Sequence, residues 1–120
     1  MRSLATENEL VESIELPFQS SEGREIMGLA IGNPNAPMAV YINVGIHARE
    51  WIGPASVMFA IDQLLLDVIE TPSLFQKTRM YITPVSNPDG YEYTWTATST
   101  NPSPRMWRKN RRKSSEKFVE

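Results

Sequence analysis

The chain has 120 residues, 41% hydrophobic and 22% charged, with 12 Lys and Arg against 14 Asp and Glu and no cysteine. That is ordinary usage for a soluble globular protein and enough length for one domain; it excludes a disulfide scaffold. No signal peptide is visible and no stretch is expected to reach transmembrane length, while the net charge of −2 hides a basic end, residues 105–120, with seven Lys and Arg against two Glu.

In chain order, strands are predicted over 11–16 and 25–31, joined by Ser20-Ser21-Glu22-Gly23 as a hairpin turn and therefore antiparallel. Asn33-Pro34-Asn35-Ala36-Pro37 reads as the loop to a third strand over 38–44, whose run from Ala39 to Ile46 has the β-branched content of a buried strand. A helix is predicted over 54–69. Pro54 suits its first turn, and Ala55, Met58, Phe59, Asp62, Leu65, Leu66 and Ile69 fall on one face, all apolar but Asp62. A fourth strand over 80–85 completes a strand–helix–strand unit, with the third strand expected inside the sheet and parallel to the fourth through a right-handed crossover. One long helix cannot cover both faces of such a sheet, so apolar sheet surface is expected to remain open. The fold class is α/β, a partial mixed sheet with helices.

His47, the single histidine, lies where the third strand gives way to the helix, and Glu50 follows three positions later. An imidazole nitrogen and a carboxylate oxygen are ligand types of a catalytic zinc site, which has three protein ligands and one open position. In open α/β sheets, ligands bind at the carboxyl ends of strands. With no second histidine and no cysteine, either an Asp or Glu completes the set, Asp89 and Glu92 being candidates, or the third ligand is not in this sequence. Asn87-Pro88-Asp89-Gly90 reads as a structural turn, because Pro presets φ, Asp bonds nearby backbone and Gly accepts positive φ.

Three blocks carry a resemblance. Gly45-Ile46-His47-Ala48-Arg49-Glu50-Trp51-Ile52, then Pro84-Val85-Ser86-Asn87-Pro88-Asp89-Gly90-Tyr91, then Arg105-Met106-Trp107-Arg108-Lys109-Asn110-Arg111 resemble the zinc metallocarboxypeptidases of the pancreatic carboxypeptidase A and B type, over about residues 11–111. The resemblance implies an extracellular, zinc-dependent enzyme that hydrolyses carboxy-terminal residues from peptides and proteins. It implies one zinc ion, with His47 and Glu50 as two ligands. Arg49 resembles the arginine that contacts the substrate backbone upstream of the scissile bond. Arg108 resembles the arginine that stabilises the oxyanion, a task for a fixed guanidinium.

The family's Asn-Arg motif for the terminal carboxylate, its third ligand, a specificity-pocket residue, a mobile tyrosine and the general-base glutamate have no counterpart here. Asn110-Arg111 belongs to the third block and is not that motif. Residues 1–120 are therefore expected to form a single partial catalytic domain, a fragment inactive alone, with 112–120 as a charged tail. The link 96–104 is longer than the family's, and Arg112 stands where a small polar residue is expected. Two alternatives remain: a non-catalytic peptide-binding remnant, and a basic nucleic-acid-binding tail. The third block accounts for 105–111 and leaves the tail reading only Arg112 and Lys113, so neither nucleic acid nor membrane is expected as a partner.

Overall fold

Residues Val11–Gln19 (β1) and Glu25–Ile31 (β2) form the antiparallel hairpin expected from the sequence. The structure is a computed structural model describing residues 8–96, 102 and 104–113, so most of the 96–104 link and the tail from 114 onward lie outside the described residues. Gly23 closes the turn at φ 81°, its N–H donating to the Ser20 carbonyl at 3.0 Å. That left-handed conformation favours glycine. β1 runs three residues past its expected end, and its register shifts between Glu15 and Gln19, where Pro17 has no N–H to offer the ladder.

Met38–Asn43 (β3), the helix Ile52–Glu70 (α1), Thr78–Thr83 (β4) and the short helix Pro88–Tyr93 (α2) follow. The strand order is β1-β2-β4-β3, with β4 antiparallel to β2 and parallel to β3. The α/β class and the parallel pair are as expected, but β3 is an edge strand rather than an interior one. β4 takes the place beside β2 and pairs on both sides. An apolar run records what a strand is made of and not which strands flank it, so β3 and β4 could not be ordered from composition. The expected open surface is found on β3, where Met38, Val40 and Tyr41 are all exposed.

α1 packs Val57, Ile61, Leu65 and Val68 against Leu29, Ile31 and Ile82 of the sheet, with Val11 and Phe75 in the same cluster. Of the face predicted from sequence, only Leu65 is buried; Phe59, Leu66 and Ile69 are exposed. The helix carries two apolar stripes with helical spacing, and the sheet takes the one rich in β-branched side chains. With 19 residues and a mean hydropathy of 1.6, α1 is also long and apolar enough to cross a membrane by length and composition, contrary to the sequence reading. Its packed face makes it the core helix of this sheet.

The two stripes can be separated by mutation. Ile61 is fully buried, so Ile61→Ala is expected to cost about 2–5 kcal/mol, and Phe59→Ala no more than about 0.5 kcal/mol. Urea denaturation of both variants checks this, and the reverse order would mean that α1 is turned the other way.

Candidate active site

The parallel ladder continues past the ends of β3 and β4. Val44 donates to the Thr83 carbonyl at 3.1 Å, Ser86 to that of Val44 at 3.0 Å and Asn87 to that of Gly45 at 3.1 Å. Both loops therefore leave the sheet side by side. Gly45 lies at φ 72°, and a Cβ there would stand 3.1 Å from Val85 Cα, so left-handed backbone and close approach both call for glycine.

Beyond it the chain turns, with the Glu50 N–H donating to the His47 carbonyl at 3.1 Å. This brings His47 Nδ1 to 2.9 Å from Glu50 Oε1. Arg108 Nη2 reaches the same ring nitrogen at 3.4 Å. His47 is half-buried and Glu50 exposed. A cleft of about 390 Å³ runs from His47 and Arg108 to Asn87 and the β1 end at Phe18, and a smaller one of about 230 Å³ lies against His47 and Glu50.

The segment read as a turn from sequence is instead the start of α2. Asn87 caps it, its Oδ1 accepting from the Gly90 N–H at 3.0 Å, and Pro88 occupies the first turn, where its missing N–H costs nothing. Asp89, a candidate third ligand, is engaged by the β1–β2 turn. It is 2% exposed and accepts from Ser20 Oγ at 2.6 Å, the Glu22 N–H at 2.9 Å and Arg24 Nη1 at 2.8 Å. Burial pushes its carboxyl up, but the Ser20 hydroxyl, the Arg24 guanidinium and the Glu22 N–H outweigh that and hold it below the ordinary carboxylate value. Glu92 is exposed on α2. Among the described residues no three His, Asp or Glu converge. The nitrogen and oxygen donors of His47 and Glu50 suit zinc, and the set found here stops at two.

The third block is a strap held by its outer arginines. Arg105 lies 3.7 Å over the Trp51 ring and donates to the Arg49 carbonyl at 2.8 Å. Trp51 in turn stacks on Trp95 at 3.9 Å and donates to Thr94 Oγ1 at 3.0 Å. At the other end Arg111 lies 3.9 Å over the Tyr93 ring and reaches Glu22 Oε1 at 3.3 Å. Between them, the Ala48 N–H donates to the Arg108 carbonyl at 3.1 Å. The strap thus presents Arg108 to His47 at an exposed position, and Arg49, Arg112 and Lys113 are exposed as well.

A family model described as zinc carboxypeptidase matches residues 1–119. The chain belongs to the zinc carboxypeptidase family. It is 39% identical over 118 residues to zinc carboxypeptidase A 1 of Drosophila melanogaster, covering 92% of this chain and 26% of that protein. To carboxypeptidase B of Astacus astacus it is 36% identical over 110 residues, 91% of this chain and 34% of that protein. Among solved structures it is similar to bovine thrombin-activatable fibrinolysis inhibitor in complex with tick carboxypeptidase inhibitor, with a TM-score of 0.78, 32% identity and coverage of 98% of this chain and 36% of that one. Carboxypeptidase A from Helicoverpa armigera gives a TM-score of 0.76 and 33% identity, covering 97% and 28%. The chain therefore spans about a quarter to a third of the length of these proteins, and the family is one of zinc metalloprotease hydrolases.

Removing the Asp89 charge tests the network that holds α2. Asp89→Asn is expected to cost about 1.5–3 kcal/mol at neutral pH, the range for hydrogen bonds to a charged group. The folded carboxyl titrates below its unfolded value, so its contribution is complete above the unfolded pKa and is lost as pH falls through the folded one. Denaturation curves taken from neutral to acid should show the gap between parent and variant narrowing only on the acid side. A gap that stays constant would contradict a charged Asp89.

Proposed function

We propose that this chain carries part of the active site of a zinc metallocarboxypeptidase that removes carboxy-terminal residues from peptides and proteins outside the cell. The observation that supports this most strongly is the convergence of His47 Nδ1, Glu50 Oε1 and Arg108 Nη2 at the carboxyl end of β3. Residues 1–120 act as a single partial catalytic domain, with 112–120 as its charged tail.

His47 and Glu50 hold the zinc ion. When bound, zinc supplies Lewis-acid polarisation of a carbonyl and lowers the pKa of water. Arg108 offers its guanidinium to an oxygen lying against the His47/Glu50 pair, where negative charge develops as a peptide carbonyl is attacked, and a donor fixed in advance has little reorganising to do. Arg49, exposed on the turn between the two ligands, binds the substrate backbone upstream of the scissile bond. Productive turnover further requires a third ligand, a base and a grip on the terminal carboxylate. None of these roles falls to a residue described here, so the 120-residue chain alone is proposed to be inactive.

A non-catalytic peptide-binding remnant would use the same residues without turnover. The nucleic-acid reading has less support: Arg105 and Arg111 are engaged with Trp51 and Tyr93, which leaves mainly Arg112 and Lys113 to meet phosphates. No membrane partner is proposed.

Isothermal titration of the chain with Zn²⁺ tests this reading. Weak one-to-one binding, reversed by chelator and reduced at least about tenfold by His47→Ala or Glu50→Ala, is expected for two ligands. Binding that both variants leave unchanged would remove the metal from this site.

A further inference from the structure

His47 and Arg108 lie 61 residues apart on two segments that share no sheet ladder, so something must hold those segments together. The Asn87 carboxamide touches both. Its Nδ2 donates to the Ile46 carbonyl at 3.0 Å and to the Lys109 carbonyl at 3.2 Å. Ile46 directly precedes His47 and Lys109 directly follows Arg108. We propose that Asn87 is a positioning residue, holding the His47 turn against the strap that carries Arg108. The proposal rests on the roles assigned above to His47 and Arg108.

The chemistry of the position favours a carboxamide. It supplies two N–H donors and one acceptor from a single short side chain, and all three are used here, the Oδ1 by the Gly90 N–H. Asn87 is 8% exposed, so a lost partner is poorly replaced by water. Aspartate would set a carboxylate against two carbonyl oxygens, and serine keeps the acceptor that caps α2 but has a single O–H on a shorter side chain in place of two N–H donors. The Ala48 N–H donating to the Arg108 carbonyl at 3.1 Å closes a ring with the two carboxamide bonds, so the peptides on both sides of His47 are fixed to the strap. Gly90 makes room for this junction: a Cβ there would stand 2.5 Å from Asn87 Nδ2 and 2.6 Å from the Lys109 carbonyl oxygen. Asn87 touches neither metal donor directly. It acts through backbone.

The test separates capping from positioning. Asn87→Ser retains the helix cap and removes the two N–H donors that bridge the Ile46 and Lys109 carbonyls, its single O–H being unable to serve both, and Asn87→Ala removes all three bonds. In the 120-residue chain, NMR follows hydrogen exchange of the Ala48 N–H, with the Val44 N–H on the β3–β4 ladder as control, and the response of the Arg108 side-chain Nε–H signal to added Zn²⁺. The expected result for Asn87→Ser is an Ala48 N–H that exchanges at least about tenfold faster, an unchanged Val44 N–H, and an Arg108 signal that no longer responds to zinc. If serine preserves parental protection and response, Asn87 is only a cap and the proposal fails. Equal loss of protection at Val44, or global unfolding of the serine variant, also overturns it, because the carboxamide would then support the fold at large. If zinc leaves the parental Arg108 signal unmoved while Asn87→Ser still frees Ala48, the tie stands and the metal-site reading fails.

Discussion

Six consecutive parallel pairs, from Met38↔Thr78 to Asn43↔Thr83, decide where β3 and β4 end relative to each other. A shift of one residue would turn every side chain of the strand to the opposite face and carry its terminal loop along with it. In the register observed, the ladder extends through Val44, Gly45 and Ser86 and delivers the His47 turn beside Asn87. His47 and Glu50, the capped start of α2 and the strap can meet only because both loops emerge at one place. The same arrangement leaves β3 with one open edge and exposed apolar side chains, the kind of surface that recruits other chains.

The strap has little regular structure of its own. Among the described residues it contains one short 3-10 turn, Pro104–Met106, and its attachment comes from side chains. Cation–π contacts at exposed positions contribute about 0.5–1 kcal/mol each, and the exposed Arg111–Glu22 pair contributes less. What they provide is placement. Arg105 is drawn to Trp51 and Arg111 to Tyr93, so the three arginines of the strap take three different directions and the middle one faces His47. Glu22 also bonds Arg24, and Arg24 bonds Asp89, so the β1–β2 turn, α2 and the strap form one connected polar network. Asp89 is the deeply buried member. At Asp89 the network ties α2 to the β1–β2 turn through a buried carboxylate, and the strap joins it through the exposed Glu22.

Local chemistry was legible in the sequence where one residue type has one structural meaning. Gly23 marked the hairpin, β2 ended where its apolar run ended, and His47 and Glu50 lie together at 2.9 Å as their spacing on a strand end implies. Three features were not legible, each because local pattern is degenerate. α1 has two apolar stripes, and only the sheet's shape selects Val57, Ile61 and Val68 over Phe59, Leu66 and Ile69. β3 is the more apolar of the two parallel strands yet lies at the edge, because strand order depends on the path of the crossover and not on composition. Asn-Pro-Asp-Gly serves a tight turn and a helix start equally well, since Pro88 fits both. Asp89 is structural, as its place in that motif implies, but its partners are Ser20, Glu22 and Arg24 of the hairpin rather than nearby backbone, a long-range contact that no local pattern carries. No periodicity could reveal the Asn87 tie, although two carbonyls and an N–H around one carboxamide make it plain once the loops are placed.

Substituting Co²⁺ for Zn²⁺ and mapping paramagnetic broadening of the backbone and arginine side-chain NMR signals would test the central claim most directly, because broadening falls off steeply with distance from the ion. The expected centre is the His47/Glu50 pair, with Ile46, Ala48 and the Arg108 side chain strongly affected and the Ser20–Arg24 turn much less. Broadening centred on Asp89 and Glu22, or distributed over the exposed carboxylates with no focus at His47, would contradict it.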